Sequence, residues 1–457
     1  MKRIKIKKDI GPTKILLISL LLVILIGAFL LKLPICNNQP IKMIDTIFVA
    51  TSATCVTGLT TIVPIEQFTT IGQIVLLLLI QIGGIGFMTL ISIILITIGK
   101  KLNLSDKLII RESLNQESFK GLATLIKKIC IYTFIIETIG ALILSIEFIA
   151  DLGVIKGIWY AIFHSISAFC NAGFDLFGAD SLNIYSENWL VCLTIMLLII
   201  IGGLGFTVWN DIVENIKTTR KLSKLTVHTK IVLLLTTILL ISGIILIFIF
   251  ECNNVETMKY DTFGTKLLKS AFQSTTLRTA GFATITQNEL RSVSKLLAIC
   301  FMFIGGSPAS TAGGIKTVTL GVIILLVVNY IKGKQDIVIY NRRITSGSIN
   351  RAIVVLIISI FIIITAVSLL LISENWEMQK NHVQINDIVF EVVSAFATVG
   401  LTLGITPNLT FAGKIIIIIL MIIGRLGPIT ISIALFKKHK EVKQSKIQYP
   451  YGNILIG

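Results

Sequence analysis

Charge is scarce in this sequence. Asp, Glu, Lys and Arg make up 14% of its 457 residues, while 54% are hydrophobic and the mean hydropathy is +0.89. A soluble domain carries about 25% charged residues, so that class is excluded. Acid is scarcer than base, with 24 Asp and Glu against 41 Lys and Arg. The apolar runs hold no paired catalytic carboxylates, no HExxH and no GxSxG, which removes the enzyme classes built on them. No enzyme is expected. Two GxG stretches, at 84–86 and 203–205, lack the third glycine and any βαβ setting, so no nucleotide site is read on this chain. The seven cysteines form no CxxC and mostly stand in apolar surroundings. They read as small packing residues rather than disulfide or metal ligands. No cofactor is expected on this chain.

What the sequence has instead is length in its apolar runs. "ILLISLLLVILIGAF" (15–29), "IVLLLLIQIGGIGFMTLISIILITI" (74–98) and "KIIIIILMII" (414–423) are examples; a helix needs about 20 such residues to cross a bilayer. The first run is not expected to be a signal peptide, because no small-residue cleavage site follows and further spans come after it. The chain is therefore expected to be a multi-pass protein of the cell membrane. The formal net charge of +17 raises the alternative of a nucleic-acid partner, but its distribution argues otherwise. Of the 41 Lys and Arg, 28 fall within 1–14, 99–130, 217–230, 332–351 and 437–446, the two ends and three linkers. The positive-inside rule puts all five in the cytosol. Both termini are then cytosolic, the number of spans is even, and nucleic acid is no partner.

Four glycine-ended stretches recur along the chain: "DTIFVATSATCVTG" (45–58), "YAIFHSISAFCNAG" (160–173), "LKSAFQSTTLRTAG" (268–281) and "DIVFEVVSAFATVG" (387–400). The fourth column reads Phe48, Phe163, Ala271, Phe390, and the eighth Ser52, Ser167, Thr275, Ser394. A second glycine motif begins 25, 29, 24 and 24 residues after each final Gly, as "GGIGF" (83–87), "GGLGF" (202–206), "GGSPAS" (305–310) and "GRLGP" (424–428). Each repeat reads as a span, a short apolar segment that enters the membrane and stops, a Gly loop, and a second span. The expected fold is an all-α polytopic membrane protein of four tandem span–pore half-helix–span repeats. Eight transmembrane helices surround a central ion pore, at about 15–33, 69–98, 129–150, 190–217, 231–250, 295–331, 352–373 and 414–436. The expected units are 1–98 (cytosolic tail and first repeat), 99–217, 218–331, 332–436 and a cytosolic tail, 437–457.

Bare backbone at membrane depth survives only where it is buried in protein or lines a water-filled cavity. Four such loops entering from one side can share an axis, and their carbonyls then replace the hydration shell of a monovalent cation. Glycine lets the backbone turn a carbonyl inward. The half-helices end at the loops, so their negative ends favour a cation there. The second glycines, such as Gly83 and Gly84, suit close helix packing instead.

The "TVG" of 398–400 and "VTG" of 56–58 look like degenerate potassium-channel filters. With "TLRTAGF", "GGSPASTAGGIKT", "IGRLGP" and "YPYGNILIG" in order, the whole chain resembles the Trk/Ktr/HKT superfamily of potassium transporters, and within it the membrane subunits of Ktr systems. The resemblance implies a potassium filter made by Val56, Thr57 and Gly58; Asn171, Ala172 and Gly173; Thr279, Ala280 and Gly281; and Thr398, Val399 and Gly400. In plant relatives a serine in place of the first filter glycine goes with sodium preference. All four positions here are Gly, which implies potassium, with sodium dependence left open. The resemblance also implies a homodimer seated on a ring of cytosolic regulatory subunits (KtrA-like), whose Rossmann-type domains bind adenine nucleotides or NAD.

Residues 295–331 are one apolar run interrupted by "GGSPASTAGG" (305–314), where a continuous helix is not expected. The resemblance implies an intramembrane gating loop there, involving Gly305, Gly306, Ser307, Ser310, Thr311, Gly313, Gly314 and Lys316. Arg425 stands at the matching offset in the fourth repeat. A charge at that depth costs at least about 2.5–3.5 kcal/mol. It faces the pore as a barrier, hydrogen-bonds the loop's carbonyls, or snorkels to the cytosol. Glu137, inside a span, is either a coupling site or a hydrogen-bonded helix contact. Arg278 and Asp175 fit a vestibule or a half-helix brace, and His164 reads as packing. Three rival classes predict other features. A voltage-gated channel needs Arg-rich spans, and acidic filters if it selects sodium or calcium. A carrier usually shows two inverted halves, and an intramembrane enzyme needs the motifs missing above.

Overall fold

The computed structural model describes residues 12–86, 122–218, 221–334, 336–340, 342–374 and 383–436. Its regular structure is helical apart from one small antiparallel hairpin, β1 (Val338–Ile339) with β2 (Arg342–Arg343). Four first helices, α1 (Pro12–Lys32), α4 (Leu122–Leu152), α8 (Val227–Glu251) and α12 (Ser346–Ser373), are each long and apolar enough to cross a membrane unbroken. Their outward residues, among them Phe29, Leu142, Ile249 and Phe361, are exposed hydrophobics. That is the surface of a helix meant for hydrocarbon.

A shorter helix follows each: α2 (Met43–Cys55), α5 (Val154–Cys170), α9 (Phe263–Thr276) and α13 (Ile385–Ala397). At 13–17 residues and about 1.5 Å per residue, none covers a hydrocarbon core of about 30 Å. Phe48, Phe163, Phe272 and Phe390 anchor these half-helices and are completely buried.

The second helices are α3 (Thr70–Ile85), α6 (Trp189–Leu204), α10 (Ser292–Phe303) and α14 (Phe411–Leu426). Each stops at the second glycine motif. Gly86, Gly205 and Gly427 adopt φ of 90°, 96° and 85°, the positive range in which glycine ends helices. After the break come α7 (Phe206–Thr218), α11 (Thr317–Ile331) and α15 (Pro428–Phe436), with α7 bent 95° from α6. This corrects the expectation of single spans at 190–217 and 414–436. An apolar G-x-G or G-x-x-G-P stretch is continuous in hydropathy but not in backbone. The expected span at 69–98 also breaks, at Gly86, and its remainder lies outside the described residues.

Side-chain caps start these helices. Thr69, Asn188, Thr226, Thr262, Thr345 and Thr410 each accept a hydrogen bond from the backbone three residues on. Such a cap contributes about 1 kcal/mol. The repeats close a circle in chain order: α2 packs on α14, α5 on α3, α9 on α6, and α13 on α10. Every half-helix therefore sits in the angle between its own repeat and the one before it.

Candidate functional site

The four half-helices end at the same geometry. Two residues before each final glycine the chain enters the left-handed region, with φ of 58° at Val56, 59° at Asn171, 65° at Thr279 and 53° at Thr398. Sequence reasoning assigned that freedom to glycine alone, yet here it falls on β-branched residues in three of four repeats. Strain of about 1–3 kcal/mol at such a residue persists only where the surroundings impose it. The glycines themselves, Gly58, Gly173, Gly281 and Gly400, have φ of 100°, 67°, 80° and 93°. In repeats one, two and four the middle residue donates back into its helix: Thr57 to the Ser52 carbonyl, Ala172 to Ser167 and Val399 to Ser394, each at 2.8 Å.

A hydroxyl then ties each helix to the far side of its loop. Ser52 Oγ accepts from Gly58 N at 3.0 Å and Ser394 Oγ from Gly400 N at 3.1 Å. Ser167 Oγ donates to Phe174 O at 2.7 Å and Thr276 Oγ1 to Phe282 O at 2.6 Å. The third repeat departs from the expected columns here. Thr275 only bonds back within its helix, to Ala271 O. Phe272 and Thr276 take the places expected for Ala271 and Thr275, because that repeat has one residue fewer between anchor and glycine.

The glycines close the ring. A Cβ on Gly58 would lie 2.7 Å from Ala172 O, on Gly173 2.7 Å from Ala280 O, and on Gly281 2.6 Å from Val399 O; on Gly400 it would strike Thr57 O. Each loop thus abuts the middle carbonyl of the next, and the fourth returns to the first. The twelve expected residues are brought together. Thr54, Thr57, Thr279 and Thr398 bury hydroxyls with no hydrogen-bond partner among the described residues. Six other buried side-chain atoms, among them Thr133 Oγ1 and Ser359 Oγ, are likewise without a partner among the described residues.

The second glycines pack beneath this ring. A side chain at Gly83, Gly202 or Gly424 would strike the carbonyl of Thr54, Phe169 or Phe396, the residue four before each ring glycine. In the third repeat the place is taken by an irregular segment between α10 and α11, 304–316. It crosses under the ring and is bonded to the second repeat: Ser307 N donates to Gly203 O at 3.0 Å, Phe206 N to Ala309 O at 2.8 Å and Thr311 Oγ1 to Phe169 O at 3.3 Å. Gly313 lies against Thr398, where any side chain would collide. Lys316 Nζ folds back onto Ala312 O at 2.6 Å, and Ser310 Oγ bonds Ser307 O at 2.7 Å. Arg425, half-buried, donates to Thr311 O and to Gly83 O. One guanidinium so binds the loop to the first repeat from its seat in the fourth. It faces inward and does not snorkel.

A family profile described as TrkH, cation transport protein, matches residues 12–447. The chain belongs to this cation transport family. It is 42% identical to the Ktr system potassium uptake protein B of Bacillus subtilis over 98% of this chain and 97% of that one. It is 38% identical to the potassium/sodium uptake protein NtpJ of Enterococcus hirae, over 99% of each. The crystal structure of the potassium transporter TrkH from Vibrio parahaemolyticus shares the fold with a TM-score of 0.73, at 17% identity, over 95% of this chain and 86% of that one. Membership makes this a multi-pass membrane transport protein with a mostly helical fold.

Four other polar residues singled out in the sequence make local contacts within this TrkH-family fold. Glu137 on α4 accepts from Gln81 Nε2 with both oxygens at 3.1 Å, and Cys170 Sγ lies 3.9 Å from Oε1. It therefore links α3, α4 and α5. Arg278 is buried, and its Nη2 reaches Thr236 Oγ1 on α8 at 3.4 Å while its Nε has no partner among the described residues. Asp175 accepts from Phe177 N at 3.0 Å within its own turn. His164 stacks on Phe177 and accepts from Leu176 N at 3.3 Å. All seven cysteines are free. Glu137→Gln is expected to leave ion uptake intact, whereas Glu137→Leu strands Gln81 and destabilises by about 1–3 kcal/mol, read as a lower melting temperature in detergent. Loss of uptake by the Gln variant at an unchanged melting temperature would instead make Glu137 a coupling site.

Proposed function

We propose that this chain is the conducting subunit of a potassium-uptake system in the cell membrane. The observation that bears most weight is the closed ring of four glycine loops, in which the glycine of every repeat abuts the middle carbonyl of the next. Such a ring suits a large monovalent cation stripped of water. Val56 to Gly58, Asn171 to Gly173, Thr279 to Gly281 and Thr398 to Gly400 form the filter. The helices cross eight times, with both termini cytosolic, and each broken second helix counts as one crossing. The segment around 305–314 is the gate, held shut by Arg425.

Potassium is preferred as the substrate because all four ring positions are glycine and the Bacillus relative is named for potassium uptake. Sodium stays a second ion on the name of the Enterococcus relative. The name of the Bacillus relative, protein B of a Ktr system, supports a second component; we take it to be a cytosolic nucleotide-binding subunit of Rossmann type under a homodimer of this chain. The decisive experiment is growth of potassium-uptake-deficient cells at low potassium. Co-expression with such a subunit is expected to restore growth. A well-expressed, membrane-inserted protein that gives no rescue with its partner present refutes the proposal.

A further inference from the structure

Beneath the gate loop lies a cavity of about 460 Å³ between α1, α11, α12, α14 and α15. A cation leaving the ring toward the cytosol meets this space, yet its lining is basic. Lys316, Arg351 and Arg425 all contribute to it, and none of the described lining residues is Asp or Glu. Two helices also start at its deep end, α11 at Thr317 and α15 at Pro428, adding positive helix ends to the three side chains. Lys316 lies within reach of the charge on Arg425. Arg351 sits in the second turn of α12, exposed, with no hydrogen bond or ion pair among the described residues.

A wall of this kind repels the transported cation and attracts an anion. We propose that the cavity is a regulatory site for a phosphate-bearing ligand, held by Arg351 at the mouth and by Lys316 and Arg425 at its deep end. The two deep cations already spend their donors on the gate: Arg425 on Thr311 O, and Lys316 on Ala312 O and Gly313 O. Phosphate oxygens bind such donors more strongly than neutral carbonyls do. A bound phosphate draws both side chains off the loop and neutralises the barrier, so the ligand opens the gate. The opening half of this inference rests on the gate assignment above; the binding half does not.

The test uses the purified full chain in nanodiscs and two probes: inorganic pyrophosphate, and short-chain phosphatidic acid with a neutral diacylglycerol as control. Binding is measured by calorimetry, and rubidium flux is measured in proteoliposomes with the probe on the cytosolic face. Pyrophosphate or phosphatidic acid is expected to bind and raise flux. Arg351→Gln is expected to weaken binding by at least about tenfold, as the loss of a charge-assisted pair does, and Arg351→Lys to restore most of it. An unshifted melting temperature without probe shows that the exposed Arg351 can be replaced without unfolding. Binding of pyrophosphate identifies a soluble phosphate ligand, and binding of phosphatidic acid alone a lipid headgroup; both support the site. Failure of both probes to bind, or binding untouched by Arg351→Gln, overturns it. Arg351-dependent binding with unchanged flux keeps the site and overturns the gate assignment.

Discussion

Gly281→Ser is expected to lower the preference for potassium over sodium by about tenfold or more, in a protein that still reaches the membrane. Gly281 sits at φ 80°, and its missing Cβ would lie 2.6 Å from Val399 O and 2.9 Å from the Gly173 Cα. Those neighbours are backbone, so no side chain can swing aside. Either the Val399 carbonyl moves out of the ring or the third loop moves off its axis. A left-handed serine adds about 1–2 kcal/mol of strain. A difference of about 1.4 kcal/mol between two ions is tenfold. Gly178→Ser is the matching control. Gly178 has φ 104°, but nothing lies within 4 Å of its absent Cβ. It carries similar backbone strain without touching the ring, and its ion preference is expected to be unchanged. Competitive uptake of rubidium and sodium in cells distinguishes them. An unaltered ratio in Gly281→Ser removes that residue from the filter.

The repeats were legible because glycine is the residue that tolerates positive φ and close approach, so the geometry left its mark in the composition. The other half of the same geometry left none. Val56, Thr279 and Thr398 are left-handed although β-branched residues resist it, and neither their identity nor their spacing betrays the conformation. It is imposed by the middle-residue amide bonding back into the half-helix and by the hydroxyl clasp across the loop. The one-residue shift in the third repeat escaped for a related reason. Aligning on the glycine puts Ala271 opposite phenylalanines, and only the burial of Phe272 and the bond from Thr276 to Phe282 O reveal the true match. Hydropathy also hid the breaks at Gly205 and Gly427, since apolar residues flank both glycines and continue the run. Arg425 was conspicuous as a charge in an apolar span, but its partners were not. Gly83 is 342 residues away in sequence, and a backbone carbonyl has no signature in sequence at all.

Those partners give the second large expectation. Arg425→Ala is expected to raise ion flux by about tenfold or more and to leave the potassium/sodium ratio as it was. The guanidinium makes two charge-assisted bonds, to Thr311 O on the irregular segment and Gly83 O in the first repeat. Each such bond contributes about 1.5–3 kcal/mol. On the proposed gate, losing both bonds frees the loop to open, and the barrier charge goes with them. The gain is bounded by what still holds the loop: the amides of Ser307 and Phe206, bonded to Gly203 O and Ala309 O, and the hydroxyl of Thr311 on Phe169 O. The ratio is expected to stay put because Arg425 touches the second-glycine layer and the 304–316 segment, not Gly58, Gly173, Gly281 or Gly400. Arg425→Gln separates latch from barrier. Its amide reaches one of the two carbonyls and carries no charge, so flux is expected to fall between wild type and the alanine variant. Arg425→Lys keeps the charge but not the forked, two-carbonyl reach. If the Lys variant conducts like wild type, the charge alone closes the pore; if it conducts like the Gln variant, the bridge does. A changed ion ratio at unaltered rate in Arg425→Ala contradicts both, because it would place the arginine in the filter rather than beneath it.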